Sequence, residues 1–145
     1  LHRDDRRQRQ MCIRDSLFAT RLWQNNSKVH FDINAREDKK RLIYGGHIIS
    51  LVRALSFNGL ENAQLIVGIN GGTHANPVFA EDTIYCWSEV LDKIDLNVRN
   101  IAALRLRSVG TKEKNHKMRL RSDDGKYLPT IVLDFDYWVL VPREL

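Results

Sequence analysis

The sequence predicts an α+β domain in which a curved antiparallel sheet wraps one long central helix. Residues 47–57 carry Ile48, Ile49, Leu51, Val52, Ala54, Leu55 and Phe57, interrupted by Ser50, Arg53 and Ser56, a density of apolar residues expected of a buried helix. Downstream the apolar period changes from 3.6 to 2. The alternating segments follow one another mostly in succession, which favours antiparallel pairing over crossover units.

Each element has its own local signal. Residues 1–16, "LHRDDRRQRQMCIRDS", show neither an apolar period nor capping logic. They are excluded from the fold as a non-native or disordered leader, and "QMCIRDS" looks like the translation of a sequencing-library adapter. The domain is then expected to span residues 17–145 and to be N-terminally truncated. Leu17, Phe18, Leu22 and Trp23 fall near helical spacing and read as the end of an amphipathic helix stopped by Asn25-Asn26. "KVHFDI" is a short extended or turn segment, and "NAREDKK" a polar loop. Asn58-Gly59 ends the central helix. Four strands are expected in "AQLIVGI", "TIYCWSEVLDKI", "LRLRSV" and "TIVLDFDYWVLV", the last with Ile131, Leu133, Phe135, Tyr137, Val139 and Val141 on one face. Pro77 and "SDDGK" fall between strands, where turn chemistry is wanted.

Bulk properties narrow the function classes. A chain of 145 residues is the size of one domain. No apolar run approaches the roughly 20 residues that span a bilayer. Cys12 and Cys86 are too isolated for a disulfide framework or a metal site, and Cys86 reads as a small core hydrophobe. A soluble cytoplasmic protein is the expectation. The net charge of +5 includes five arginines against three aspartates in the first 16 residues, so only +3 is spread along the remainder. That distribution argues against a nucleic-acid partner.

Several residues could carry chemistry. His30, His47, His74 and His116 are the titratable candidates, and no two share an element at metal-ligand spacing. Asp134 and Asp136 share the strand face opposite Leu133 and Phe135, so a solvated outer face is expected for both. "GINGG" lacks the strand-to-helix setting of a dinucleotide fingerprint. Gly45-Gly46, just before the helix, leave backbone N–H groups open in a favourable dipole field. From that stretch alone, an oxyanion hole and a tight turn are equally good readings.

Longer segments carry a resemblance. "ATRLWQNNSKVHFD", "RLIYGGHIISLVRALSFNGLENA", "INGGTHANPVFAEDTIYCWSEVLDK" and "VLDFDYWVLVPR" are colinear and together resemble the MaoC-like hotdog hydratases. Within that group they are similar to the C-terminal half of the mesaconyl-CoA hydratase (β-methylmalyl-CoA dehydratase) family, from about Phe18 to Arg143. The resemblance implies a hotdog fold and reversible, cofactor-free addition of water to an acyl-CoA thioester. It also implies a missing N-terminal hotdog half, and a homo-oligomer is expected; charge distribution and apolar run length are what argue against nucleic-acid and membrane partners. An acyl-CoA thioesterase and a non-catalytic hotdog partner domain are the competing readings.

Site residues follow from the same resemblance. Related hydratases share the attacking water between an Asp and a His five residues later. Here His30 falls on the histidine and Asn25 on the aspartate, while Ser27 replaces an intervening asparagine. An amide exchanges no proton at neutral pH, so His30 is the expected acid/base and Asn25 at most orients water. Gly45 falls on the glycine whose N–H binds the thioester oxygen. Tyr44, Gly46, His47, His74 and Asn76 are expected to bind substrate. Glu81 departs from the commoner glycine of "FAGDT", where a positive φ is suspected.

Overall fold

The structure is a computed structural model whose described residues are 14–57, 59–63, 65–98, 100–114 and 119–143. Helix α1, residues 14–22, turns inward a polar edge: Ser16 and Thr20 are buried, and the Thr20 hydroxyl donates to the Ser16 carbonyl at 2.6 Å. The boundary expected at residue 16 therefore falls inside a helix. The apolar residues that suggested amphipathicity point away instead, with Phe18, Leu22 and Trp23 each more than 60% exposed. Gln24, at φ 53°, closes the helix, and the Asn25 N–H returns to the Thr20 carbonyl.

The segment expected to be extended or a turn forms a 3₁₀ turn, Lys28–His30, and a second, Ile33–Ala35, leads into the expected polar loop. Asp32 caps the second by accepting the Asn34 N–H at 2.8 Å. Helix α2 runs Gly45–Leu55, so it starts two residues earlier than expected and takes both glycines into its first turn. The Tyr44 N–H before it donates to Ser16 Oγ at 3.2 Å, tying α1 to α2. Gly59, at φ 84°, turns the chain away after the helix, while the expected stop at Asn58 lies outside the described residues.

Four strands, β1 (Leu65–Thr73), β2 (Tyr85–Val98), β3 (Ile101–Thr111) and β4 (Ile131–Pro142), form one antiparallel sheet in the order β1-β4-β3-β2. β1 continues through "GINGG", with register shifts after Ile66 and Ile69 marking bulges. The glycine pattern is strand, as its lack of a following helix suggested.

The core lies between α2 and the centre of the sheet. Ile48 and Val52 of the helix meet Leu106, Leu133, Tyr137 and Val139, with Ile43 and Val78 closing one end. Gly110 makes the contact close, because a Cβ there would stand 2.7 Å from Val52 Cγ2. Each such aliphatic side chain contributes roughly 1.5–3 kcal/mol when fully buried. The expected central helix packed on an antiparallel sheet is present; its buried face carries Ile48 and Val52, while Ser50, Ala54 and Leu55 are exposed.

Two smaller expectations also change. Asp134 and Asp136 are not simply solvated. Each accepts two hydrogen bonds from an arginine of β3, Arg107 to Asp134 at 2.6 and 2.8 Å and Arg105 to Asp136 at 2.6 and 3.0 Å. The period-2 argument placed them on the right face without seeing that "LRLR" places its arginines on the same face. Glu81 is not among the residues with positive φ, so no backbone strain attaches to it.

Candidate active site

The site is organised around the backbone of Leu42. Its N–H donates to the Val29 carbonyl at 3.1 Å, and its carbonyl lies 2.9 Å from His30 Nδ1. Leu42 also bridges Phe79 in antiparallel fashion, and the Ile43 N–H reaches the Val78 carbonyl at 2.9 Å. Three distant stretches, "KVH", "LIYGG" and "NPVF", are thereby drawn to one place.

Between them lies a cavity of about 350 Å³ lined by His30, Gly45, His74 and Asn76 and walled by Leu42, Ile43, Ile48, Pro77 and Val78. A carbonyl can only accept, so Nδ1 of His30 carries the proton that meets Leu42. In the neutral ring this leaves Nε2 with a free lone pair, the form a general base requires. Tyr44 packs its ring edge-on against His30, centroids 5.7 Å apart.

Gly45 and Gly46 accommodate two aromatic rings. A Cβ on Gly45 would stand 2.8 Å from His74 Nε2, and one on Gly46 would stand 2.6 Å from the Tyr44 ring. Neither glycine N–H has a hydrogen-bond partner among the described residues, and Tyr44 offers no side-chain cap. Two unpaired donors thus stand at the positive end of an 11-residue helix, with Gly45 on the cavity wall.

His74 is fixed through its neighbours. Thr73 pairs with Asp134, the Ala75 N–H donates to the Val132 carbonyl, and Asn76 Nδ2 donates to the carbonyls of Leu128 and Ile131 at 3.0 and 2.7 Å. Partial burial holds the His74 ring below the ordinary histidine pKa.

Other expected residues stand elsewhere. Asn25 does not line the cavity; its Oδ1 accepts the Ser27 N–H at 2.9 Å in an Asx turn. His47 does not line the cavity; its Nε2 is buried without a partner among the described residues, and its pKa is lowered by burial against a smaller upward pull from Asp15. Tyr44 and Gly46 flank the cavity without lining it. His116 lies outside the described residues. Cys86 packs against the core, and burial raises its thiol pKa despite a hydrogen bond with Ser88. Sequence reasoning missed the Leu42 carbonyl and the apolar wall. The apolar triplet before the glycines and the "PV" after Asn76 were the available signals.

The fold is that of a hotdog domain of the α+β class. No family model matches the chain. It is 60% identical over 129 residues to the mesaconyl-CoA hydratase of Cereibacter sphaeroides, covering 89% of this chain and 38% of that protein. It is 53% identical over 131 residues to the β-methylmalyl-CoA dehydratase of Chloroflexus aurantiacus, covering 87% of this chain and 37% of the relative. A solved structure of a MaoC domain protein dehydratase from Chloroflexus aurantiacus superposes with a TM-score of 0.86 at 48% identity, covering 92% of this chain and 39% of that one. The chain is therefore homologous to the C-terminal part of these hydratases and spans under two-fifths of the length of the curated relatives it matches.

Proposed function

We propose that this chain is the catalytic C-terminal half of a cytoplasmic double-hotdog enzyme that reversibly hydrates mesaconyl-CoA to β-methylmalyl-CoA without a cofactor. The observation that carries the reading is that His30, its Nδ1 held by Leu42, and Gly45, whose N–H has no partner among the described residues, line one cavity. Identity above 50% to a hydratase and a dehydratase of this substrate pair supports it.

In this reading His30 Nε2 takes a proton from water as the water oxygen bonds to the β-carbon. The electron pair of the double bond moves to the α-carbon and thioester oxygen, where the Gly45 N–H stabilises the enolate. The imidazolium then returns the proton to the α-carbon, so the net change is one added water. The walls of Leu42, Ile43, Ile48, Pro77 and Val78 suit the methyl-bearing carbons of the acyl group.

The remaining hotdog half and further copies of the protein are the proposed partners. Exposed Leu65, Val67 and Ile69 on edge strand β1, with Val90, Ile94 and Val98 on edge strand β2, support such contacts. Among the described residues no helix is long and apolar enough to cross a membrane.

The test is incubation of the purified protein with mesaconyl-CoA, following the conjugated enoyl thioester and free thiol in parallel. Loss of conjugation with the thioester intact supports hydration. Release of thiol without hydration would overturn it in favour of a thioesterase.

A further inference from the structure

The cavity contains a second imidazole that the hydration scheme leaves unused. His74 follows the last residue of β1 and shares the cavity lining with His30 of the first 3₁₀ turn. Its Nε2 edge rests on Gly45: Nε2, Cε1 and Cδ2 lie 2.8, 3.0 and 3.2 Å from where a Cβ would stand. Any larger residue at 45 would displace this ring. The glycine thus serves a contact between a ring nitrogen and the first turn of α2, as well as leaving its own N–H open.

Resting on the hydratase reading, we infer that His74 is the second donor of the oxyanion hole, its Nε2–H binding the thioester oxygen beside the Gly45 N–H. Three features of the fold suit it to that role. Its position is preorganised, because residues 73, 75 and 76 are all hydrogen-bonded to β4 or to the residues leading into it. Its ring has no hydrogen-bond partner among the described residues, so the donor is free for a ligand. Desolvation lowers the pKa of the ring and so favours its neutral form, and a neutral imidazole donates a hydrogen bond without surrendering its proton. Two donors at one oxygen divide the enolate charge between them, which a single helix N–H cannot do.

This role separates His74 from His30. His30 must exchange a proton, whereas His74 need only present an N–H, and a glutamine amide presents one at similar reach. Substituting His74→Leu is expected to lower kcat/KM by about 10²- to 10³-fold, the usual effect of removing one oxyanion donor. His74→Gln should stay within about tenfold of wild type, with an unchanged pH profile. Infrared difference spectra of bound mesaconyl-CoA, carbon-13 labelled at the thioester carbonyl, give a readout independent of turnover. The carbonyl stretch should move to lower frequency on wild type and His74→Gln, and much less on His74→Leu. An equal shift on wild type and His74→Leu would overturn the assignment, as would a His74→Gln variant as impaired as His74→Leu. A wild-type protein that shifts the stretch without hydrating the substrate would support the donor and overturn the hydratase reading.

Discussion

His30 Nδ1 lies 2.9 Å from the carbonyl oxygen of Leu42, a residue whose own N–H is bonded one position before His30, at Val29. Backbone and side chain close a reciprocal clasp between the 3₁₀ turn and the strand-like segment leading into α2. The clasp fixes the tautomer as well as the position, because the carbonyl demands the proton at Nδ1. What remains on Nε2 of the neutral ring is a lone pair.

Gly45→Ala tests the close seat of His74 on α2. The new Cβ would meet Nε2 at 2.8 Å, so the ring must swing away from the helix end. Overpacking of this kind typically costs about 1–3 kcal/mol, eased here because the ring is only partly covered and can swing toward solvent. A loss of about tenfold or more in kcat is expected, with only a small fall in melting temperature. Kinetics and thermal melts on the same preparation check both parts.

Stability should fall on mild acidification. Burial lowers the pKa of His74 and, against a smaller opposing pull from Asp15, that of His47, both from an ordinary value of 6.5. For a depressed histidine the unfolded chain binds more protons, so stability is fully present above the unfolded pKa and declines as pH falls through 6.5 toward the folded value. Urea midpoints measured from pH 8 to pH 5 should therefore decrease below about pH 6.5, and His47→Gln with His74→Gln should flatten the curve.

Asp134 tests the ion-pair ladder on the outer sheet face. Burial alone would raise its pKa, but hydrogen bonds from Arg107 and the Tyr127 hydroxyl outweigh that and hold it below the ordinary carboxylate range. A lowered carboxylate stabilises the fold above its unfolded pKa and loses that contribution as pH falls through the folded one. Asp134→Ala strands the partly buried Arg107 and should cost about 1–3 kcal/mol by chemical denaturation, with the hydration rate little changed.

The isolated chain should self-associate. β1 and β2 are the sheet edges and carry exposed Val67, Ile69, Val90 and Ile94. A lysine on an edge blocks strand addition and removes apolar burial, so Ile69→Lys should weaken association by about tenfold or more in sedimentation equilibrium. A wild-type chain that stays monomeric at high concentration would contradict this.

The sheet and central helix were legible because their apolar periods are long and distinct. The period change after Phe57 announced β1 to β4, and the apolar run before it announced α2. Its flanks were not legible. The apolar residues of α1 suggested an inward face, yet the short hydroxyls of Ser16 and Thr20 occupy it, a choice made by tertiary contact with Tyr44. At the site, the family resemblance named His30, Gly45, His74 and Asn76, which the fold gathers around one cavity. Periodicity alone ranked none of them. Asn25 lay beyond such reasoning too, since its Asx turn with Ser27 is a local alternative that side-chain type permits but does not dictate.

The central claim is that His30 moves the proton, and His30→Ala tests it most directly in an enzyme shown to hydrate mesaconyl-CoA. Removing a general acid/base group should lower kcat by about 10²- to 10⁴-fold while leaving the melting temperature nearly unchanged. A His30→Ala rate within a few-fold of wild type would contradict the account.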